Sequence, residues 1–355
     1  MEDQIAERYF DGRFNPPGWL LQSALNLYVS SYHWLGILLG RGSDGPALQG
    51  DTIAERSREL MAVHYDMPLP LFERMLGPSM KYSTALWETG AATLEAAQEA
   101  MLADVCRKAG LRDGDAVLDV GCGFGSLCHY ILRAFPSATV VGLTLSRTQA
   151  DTIRRAQEQP GHPFHSPRFR LVQEDFNTVR FAGRFDRILS LGVFEHVANL
   201  DKALEKLRGL LHDDGKLFLH YIVYRRPVHR LADRPADGSF VGRYIFPGGR
   251  VWFDEELARH PTHFKLAGHW FLNGRNYERT LRAWLERFLA GRERIAQEAG
   301  LDERRLRIWE LYLRAFIAVF RTGRGRFYGN GQYLLTSRGG ISAPPPRPRA
   351  AARSP

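Results

Sequence analysis

Cysteine is nearly missing from this chain: Cys106, Cys122 and Cys128 are all that 355 residues contain. Their spacing fits no zinc motif, and they make no even disulfide set. Such sparse use suits a reducing, cytoplasmic compartment. A signal pattern is missing from MEDQIAERYF too, which carries acidic residues rather than a basic start followed by an apolar run, so no signal peptide is expected in it. A clean membrane span is missing as well. The most apolar early stretch, WLLQSALNLYVSSYHWLGILLG (19–40), is interrupted by Gln22, Asn26 and His33 and reads as one or two amphipathic helices. There is no internal repeat, and nothing resembles a nucleic-acid module.

What is present is ordinary globular material, 44% hydrophobic and 25% charged, enough for a sizeable core. The net charge is +9, of which Arg347, Arg349 and Arg353 supply three. A solvated basic surface accounts for the remainder. Attraction to an anionic membrane face is the alternative, at about 1 kcal/mol per basic residue near the surface.

Residues 1–60 look helical and carry no catalytic motif. A helix follows at about 93–109, with Leu94, Ala97, Met101, Leu102 and Val105 at helical spacing. Strands at AVLDVG (116–121), TVVGLTL (139–145), FRLVQED (169–175), FDRILSL (185–191) and KLFLHYIV (216–223) then alternate with helices. Continuous apolar strands separated by helices predict an α/β fold with a mostly parallel sheet covered on both faces. Residues 224–275 look irregular, 276–320 form a long helical block, and YLLTSR (333–338) reads as a closing strand. The Pro/Arg-rich stretch at 339–355 cannot bury a core and is expected to be disordered.

LDVGCGFGS (118–126) joins the first of these strands to a helix. Gly121, Gly123 and Gly125 permit a sharp turn and a close backbone approach to a ligand. The spacing is G-x-G-x-G, one residue short of a dinucleotide fingerprint. The next strand ends in Thr144, not in the carboxylate that NAD ribose requires. A further strand ends in Glu174-Asp175, where a carboxylate could meet an adenine amino group. This order suits a class I S-adenosylmethionine (SAM) methyltransferase.

These residues carry a resemblance. HYDMPLPLF, MKYSTALW, VLDVGCGFGSL, VVGLTLSRTQ, FDRILSLGVFEHV, KLFLHYI, YIFPGG, NYERTLRAW and YLLTSR are similar to the cyclopropane fatty acid synthase superfamily of SAM-dependent methyltransferases, over about residues 61–338. YDMPLPLFERMLGPSMK and FYGNGQYLL resemble its coclaurine N-methyltransferase branch. The resemblance implies a Rossmann-like methyltransferase domain, with the helical segment before it and a helical cap at about 224–320.

It also implies roles for matching positions. Tyr82 and Ser83 would close over the methionine end of SAM, and Asp119, Gly121 and Gly123 would line its methionine and ribose. Thr144, Ser146 and Gln149 would take the ribose and adenine side, with Asp175 near the adenine. Cyclopropane members hold a bicarbonate ion, and Glu195, His220, Ile222 through its backbone, and Tyr277 match that site. The family usually has Cys where this chain has Thr84. A backbone contribution there survives the change; a thiol contribution does not.

Two acceptors follow. One is an unsaturated phospholipid acyl chain, giving a cyclopropane or methyl-branched product at the inner membrane face. The other is a small amine, with Glu195 or His220 accepting its proton. A SAM- or lipid-binding protein without catalysis is the third reading. His196 is expected to point away from Glu195 if the strand continues through it. Trp19, Leu20, Leu21, Trp34, Leu35 and Leu38 could dock on a bilayer or pack against the core. Oligomeric state stays open.

Overall fold

The computed structural model describes residues 2–38, 49–225 and 240–337. The Pro/Arg-rich stretch expected to be disordered lies outside these residues.

Two helices begin the chain, α1 (Glu2–Phe10) and α2 (Gly18–Leu38). After them come α3 (Ser57–Leu60), a π-turn at Met61–Tyr65, α4 (Leu69–Leu76) and α5 (Leu94–Ala109). The alternating part then runs β1 (Ala116–Val120), α6 (Ser126–Ala134), β2 (Thr139–Thr144), α7 (Arg147–Gln157), β3 (Phe169–Gln173), β4 (Phe185–Leu191), α8 (Leu200–Leu210) and β5 (Leu211–Tyr224). Caps explain the helix starts. Thr93, Ser146 and Asn199 each accept a backbone N–H three residues on, opening α5, α7 and α8.

The last third holds α9 (Phe240–Tyr244), β6 (Trp252–Phe253), β7 (Phe264–Asn273), α10 (Arg275–Ala290), α11 (Arg292–Ala299), α12 (Glu303–Arg321) and β8 (Tyr328–Ser337). The sheet order is β3-β2-β1-β4-β5-β8-β7, with β6 paired to β5. Strands β1 to β5 are mutually parallel, and β8 is antiparallel to β5 and β7.

The structure departs from the sequence reading at three places. The stretch at 264–273, expected to be irregular, is the edge strand β7. Its register slips between Leu266 and Gly268, and only Phe264 and Leu272 are buried, so no alternation marks it as a strand. The closing strand begins at Tyr328 rather than 333. Gly329 hides it, yet a Cβ there would lie 2.2 Å from the Leu272 carbonyl oxygen of the neighbouring strand. The helical block is three helices, broken at Gly291 and at Gly300, which takes a left-handed φ of 61°.

The N-terminal helices pack on α12 and leave part of α2 outside. Arg314 donates to the Gly18 carbonyl at 3.1 Å, Arg304 pairs with Glu7 and Asp11 at 2.7 Å each, and His33 meets the Tyr328 hydroxyl at 2.9 Å. Trp19 and Leu27 are 72% and 70% exposed, and Trp34 and Leu35 are exposed as well. One side of α2 therefore packs on protein while another stays in solvent.

Helix α10 anchors the segment at 81–87. Thr280 Oγ1 accepts from the Ala85 N–H at 3.1 Å and from the Trp87 indole N–H at 3.0 Å, while Asn276 takes the Trp87 backbone N–H at 2.9 Å. Thr280 is fully buried. Thr280→Val removes one acceptor from two buried donors and should destabilise the fold by about 2–4 kcal/mol. Urea unfolding checks this, and an unchanged midpoint would show that the segment does not depend on the anchor.

Candidate active site

The sheet order reverses direction between β1 and β4, and the crevice beyond the carboxyl ends of those strands is where such sheets bind ligands. The glycine turn after β1 and the loop after β4 meet there. Gly121, at φ 74°, has Val193 Cγ2 only 2.2 Å from where a Cβ would sit, so the two loops touch through it. Gly123, at φ 59°, has no atom of the described residues, apart from its chain neighbours, within 4 Å of that position, and it lines the crevice. A cleft here is lined by Asp119, Gly121, Gly123, Thr144, Gln149 and Asp175, with Tyr82 and Ser83 at its inner end.

Asp119 is 2% exposed, accepts a weak bond from the Cys128 thiol at 3.3 Å, and is pushed up to about 7 by burial. Thr144 donates to Gln149 Oε1 at 2.7 Å. Asp175 Oδ1 accepts the Asn177 backbone and amide N–H groups at 2.8 and 2.9 Å. Ser146 departs from expectation and does not line the cleft. It is fully buried as the cap of α7, and it donates to Asp66 Oδ1 at 2.7 Å, tying the π-turn segment to that helix.

A second, larger cavity of about 800 Å³ adjoins the cleft. Tyr65, Tyr82, Ser83, Gly192 and His196 line both, so they form the shared wall. Glu195, Ile222 and Tyr277 line the larger one alone. Its remaining walls are mostly apolar and come largely from α1, α2 and α12.

Glu195 lies where the chain leaves β4. The strand ends at Leu191, and Phe194–His196 forms a 3-10 turn, which corrects the strand geometry assumed for His196. Both side chains consequently face the larger cavity. Glu195 Oε1 accepts the Ile222 N–H at 2.8 Å, and Oε2 is shielded with no hydrogen-bond partner among the described residues. Burial pushes this carboxyl up to about 7, against the pull of the backbone donors. His196 Nε2 meets the Tyr65 hydroxyl at 2.9 Å, and burial pushes the imidazole down to about 4.

His220 shares a sheet face with Ile222 two residues on and is fully buried. Its side chain and that of Thr84 sit behind the cavity surface rather than on it. Thr84 directs its hydroxyl to the Ala85 carbonyl at 3.3 Å. Lys81 beside it is 1% exposed, donates to Ser83 Oγ and the Thr84 carbonyl at 2.6 Å each, and is pushed down to about 7 by burial. Tyr277 packs against Phe320 at 4.4 Å, and burial raises its hydroxyl well above the usual range.

Phe246 and Tyr312, which line the larger cavity, escaped the sequence reading. Tyr82 donates to or accepts from His64 Nε2 at 2.8 Å, and His64 stacks between Tyr82 and Trp309. Phe246 and Tyr312 complete an aromatic cluster at the shared wall. His64 lies in MAVHY, Phe246 in YIFPGG and Trp309 and Tyr312 on α12, and only the folded chain brings them together. Among the described residues no helix is long and apolar enough to cross a membrane, and no cluster of His, Cys, Asp and Glu is placed to hold a metal ion.

Comparison with known proteins now decides the family. Residues 53–328 match the mycolic acid cyclopropane synthetase family. The chain belongs to that family. It is 35% identical over 260 residues to the cyclopropane-fatty-acyl-phospholipid synthase of Escherichia coli strain K12, covering 73% of this chain and 63% of that one. It is 28% identical over 240 residues to (S)-coclaurine N-methyltransferase of Thalictrum flavum subsp. glaucum, covering 65% and 63%. The match thus spans less than two thirds of either relative's length. The structure of mycolic acid cyclopropane synthase CmaA1 complexed with SAH and CTAB superposes with a TM-score of 0.67 at 26% identity, covering 79% of this chain and 98% of that one. The fold is the Rossmann-like class I methyltransferase fold.

Proposed function

We propose that this family member is a SAM-dependent methyltransferase that adds a carbon to an unsaturated lipid acyl chain, giving a cyclopropane or methyl-branched product. The observation that carries this reading is the apolar cavity of about 800 Å³ sharing a wall with the glycine-lined cleft. A pocket of that size suits an extended apolar ligand. The name of the Escherichia coli relative, cyclopropane-fatty-acyl-phospholipid synthase, supports a phospholipid acceptor.

The cleft fits SAM: Gly123 leaves room for close backbone approach, and Gln149 and Asp175 offer polar groups along it. SAM supplies an electrophilic methyl on a sulfonium. Tyr65, Tyr82 and Ser83 would hold it against the acceptor and exclude water, and orientation of this kind is worth about 7–11 kcal/mol of barrier in favourable cases. Glu195, raised to about 7, is suited to hold or receive a proton beside the new carbon.

Bicarbonate fits in part. Glu195 Oε2 and His220 Nε2 are both buried polar atoms with no hydrogen-bond partner among the described residues. Together with Tyr277 and the Thr84 backbone they would hold the ion, which supplies a base. The Ile222 N–H is already given to Glu195. That bond favours a second reading, N-methylation of an amine with Glu195 itself as base, which the coclaurine relative's name also supports. We place the protein in the cytoplasm, in peripheral contact with the inner membrane face.

Lipid profiling of a host expressing the full chain and fed methyl-labelled methionine tests the choice. Acyl species gaining one labelled carbon are expected. Unchanged lipids with label in soluble amines would overturn the lipid reading in favour of the amine one.

A further inference from the structure

Gln332 lies on β8 directly opposite His220 on β5 and is fully buried. Its amide has two chemically different ends, and its neighbours fix which way it faces. Lys108, on α5, donates to Gln332 Oε1 at 2.5 Å. An ammonium has donors only, so the amide oxygen must face Lys108 and the NH2 must face away. Lys108 is held in place by Asp104 at 2.6 Å and lies over the Trp270 ring at 5.2 Å. The NH2 of Gln332 then reaches His220 Nδ1 at 3.1 Å.

A nitrogen that accepts a hydrogen bond carries no proton. Neutral imidazole has one N–H, so the proton of His220 resides on Nε2. An imidazolium would set Nδ1–H against the amide NH2, donor against donor. Burial, with Lys81 and Lys108 nearby, also pushes the ring well below its usual value.

We propose that the Asp104–Lys108–Gln332 chain locks His220 as its Nε2–H tautomer, making this imidazole, which backs the acceptor-site wall at Gly192, a hydrogen-bond donor through Nε2 and never a base. Gln332 is a positioning residue, acting through His220. The donor role rests on the methyltransferase reading; the tautomer does not. Of the two residues considered as proton acceptor for an amine, Glu195 alone is then able to serve. His220 Nε2–H is suited instead to an oxyanion or a carbonyl oxygen.

The test is long-range proton–nitrogen correlation on the full chain labelled with 15N-histidine, with His220 assigned by its loss in His220→Phe. At pH 7 the wild type should show a protonated Nε2 and an unprotonated Nδ1. Gln332→Glu offers Nδ1 an acceptor and should invert that pattern. Turnover should fall about 10²-fold, the usual loss for one preorganised donor, with SAH affinity unchanged by calorimetry. Lys108→Met frees the amide to turn and should give a mixture of tautomers, which keeps the test open if Gln332→Glu does not fold. A wild-type ring that is Nδ1-protonated or doubly protonated at pH 7 overturns the lock. An inverted tautomer with undiminished turnover overturns the donor role. Absence of SAH binding in the wild type would instead defeat the methyltransferase reading and leave the tautomer result standing.

Discussion

Glu195→Gln is expected to lower turnover by about 10²–10⁴-fold, the usual contribution of a positioned acid or base, with SAH affinity changed by less than about twofold. Glu195 Oε1 takes the Ile222 N–H at 2.8 Å, and Oε2 is shielded with no partner among the described residues. A glutamine can still accept from Ile222, so the turn should keep its shape. It cannot take up a proton. Wild-type kcat/KM for the acceptor should rise with pH through an apparent pKa of about 7, because the carboxyl is raised to about 7 and acts as base only when ionised. Asp119 is raised to a similar value but lines the cleft, so its ionisation should appear in the KM for SAM. Linkage gives the stability counterpart. Glu195 binds its proton more tightly folded than unfolded, so between its ordinary value of 4.5 and about 7 it makes stability fall as pH rises. Glu195→Gln should flatten that slope. Full turnover with lost SAH affinity would reassign Glu195 to the cofactor.

Sequence pattern made one half of this molecule readable and concealed the other. β1, β2, β4 and β5 are parallel and buried, so their apolar runs stand out, and the glycine turn after β1 announces itself because only glycine tolerates φ of 74° and 59° comfortably at Gly121 and Gly123. β7 is an edge strand with a bulge and shows no alternation. The start of β8 is written in Gly329, Asn330 and Gly331, which look like a turn until a neighbouring strand needs the space. Glu195, Ile222 and Tyr277 share one cavity although they are far apart in the chain. Ser146 could be read as a ligand residue from its motif, yet its hydroxyl is committed to capping α7. The larger cavity was the least legible feature. Its walls come from α1, α2 and α12, whose apolar residues look the same in sequence whether they face a core, a bilayer or a ligand.

Gly123→Val should abolish SAH binding, with affinity falling by more than about 100-fold, while leaving most of the fold intact. Two costs combine. A β-branched residue at φ 59° is strained by about 1–2 kcal/mol, and this part lowers stability whether or not ligand is present. The second cost arises only on binding. Among the described residues, and apart from its chain neighbours, no atom lies within 4 Å of the position a Cβ would take at Gly123, so the new Cβ meets open space beside the cleft in the free protein. Gly121→Ala is the control that separates the two. There a Cβ would meet Val193 Cγ2 at 2.2 Å, so the substitution should push the β1 and β4 loops apart and lower the melting temperature more than Gly123→Val does. Calorimetric titration with SAH, alongside thermal unfolding of both variants, gives the decisive comparison. Gly123→Val protein that is folded and still binds SAH normally would remove the glycine turn from the cofactor site.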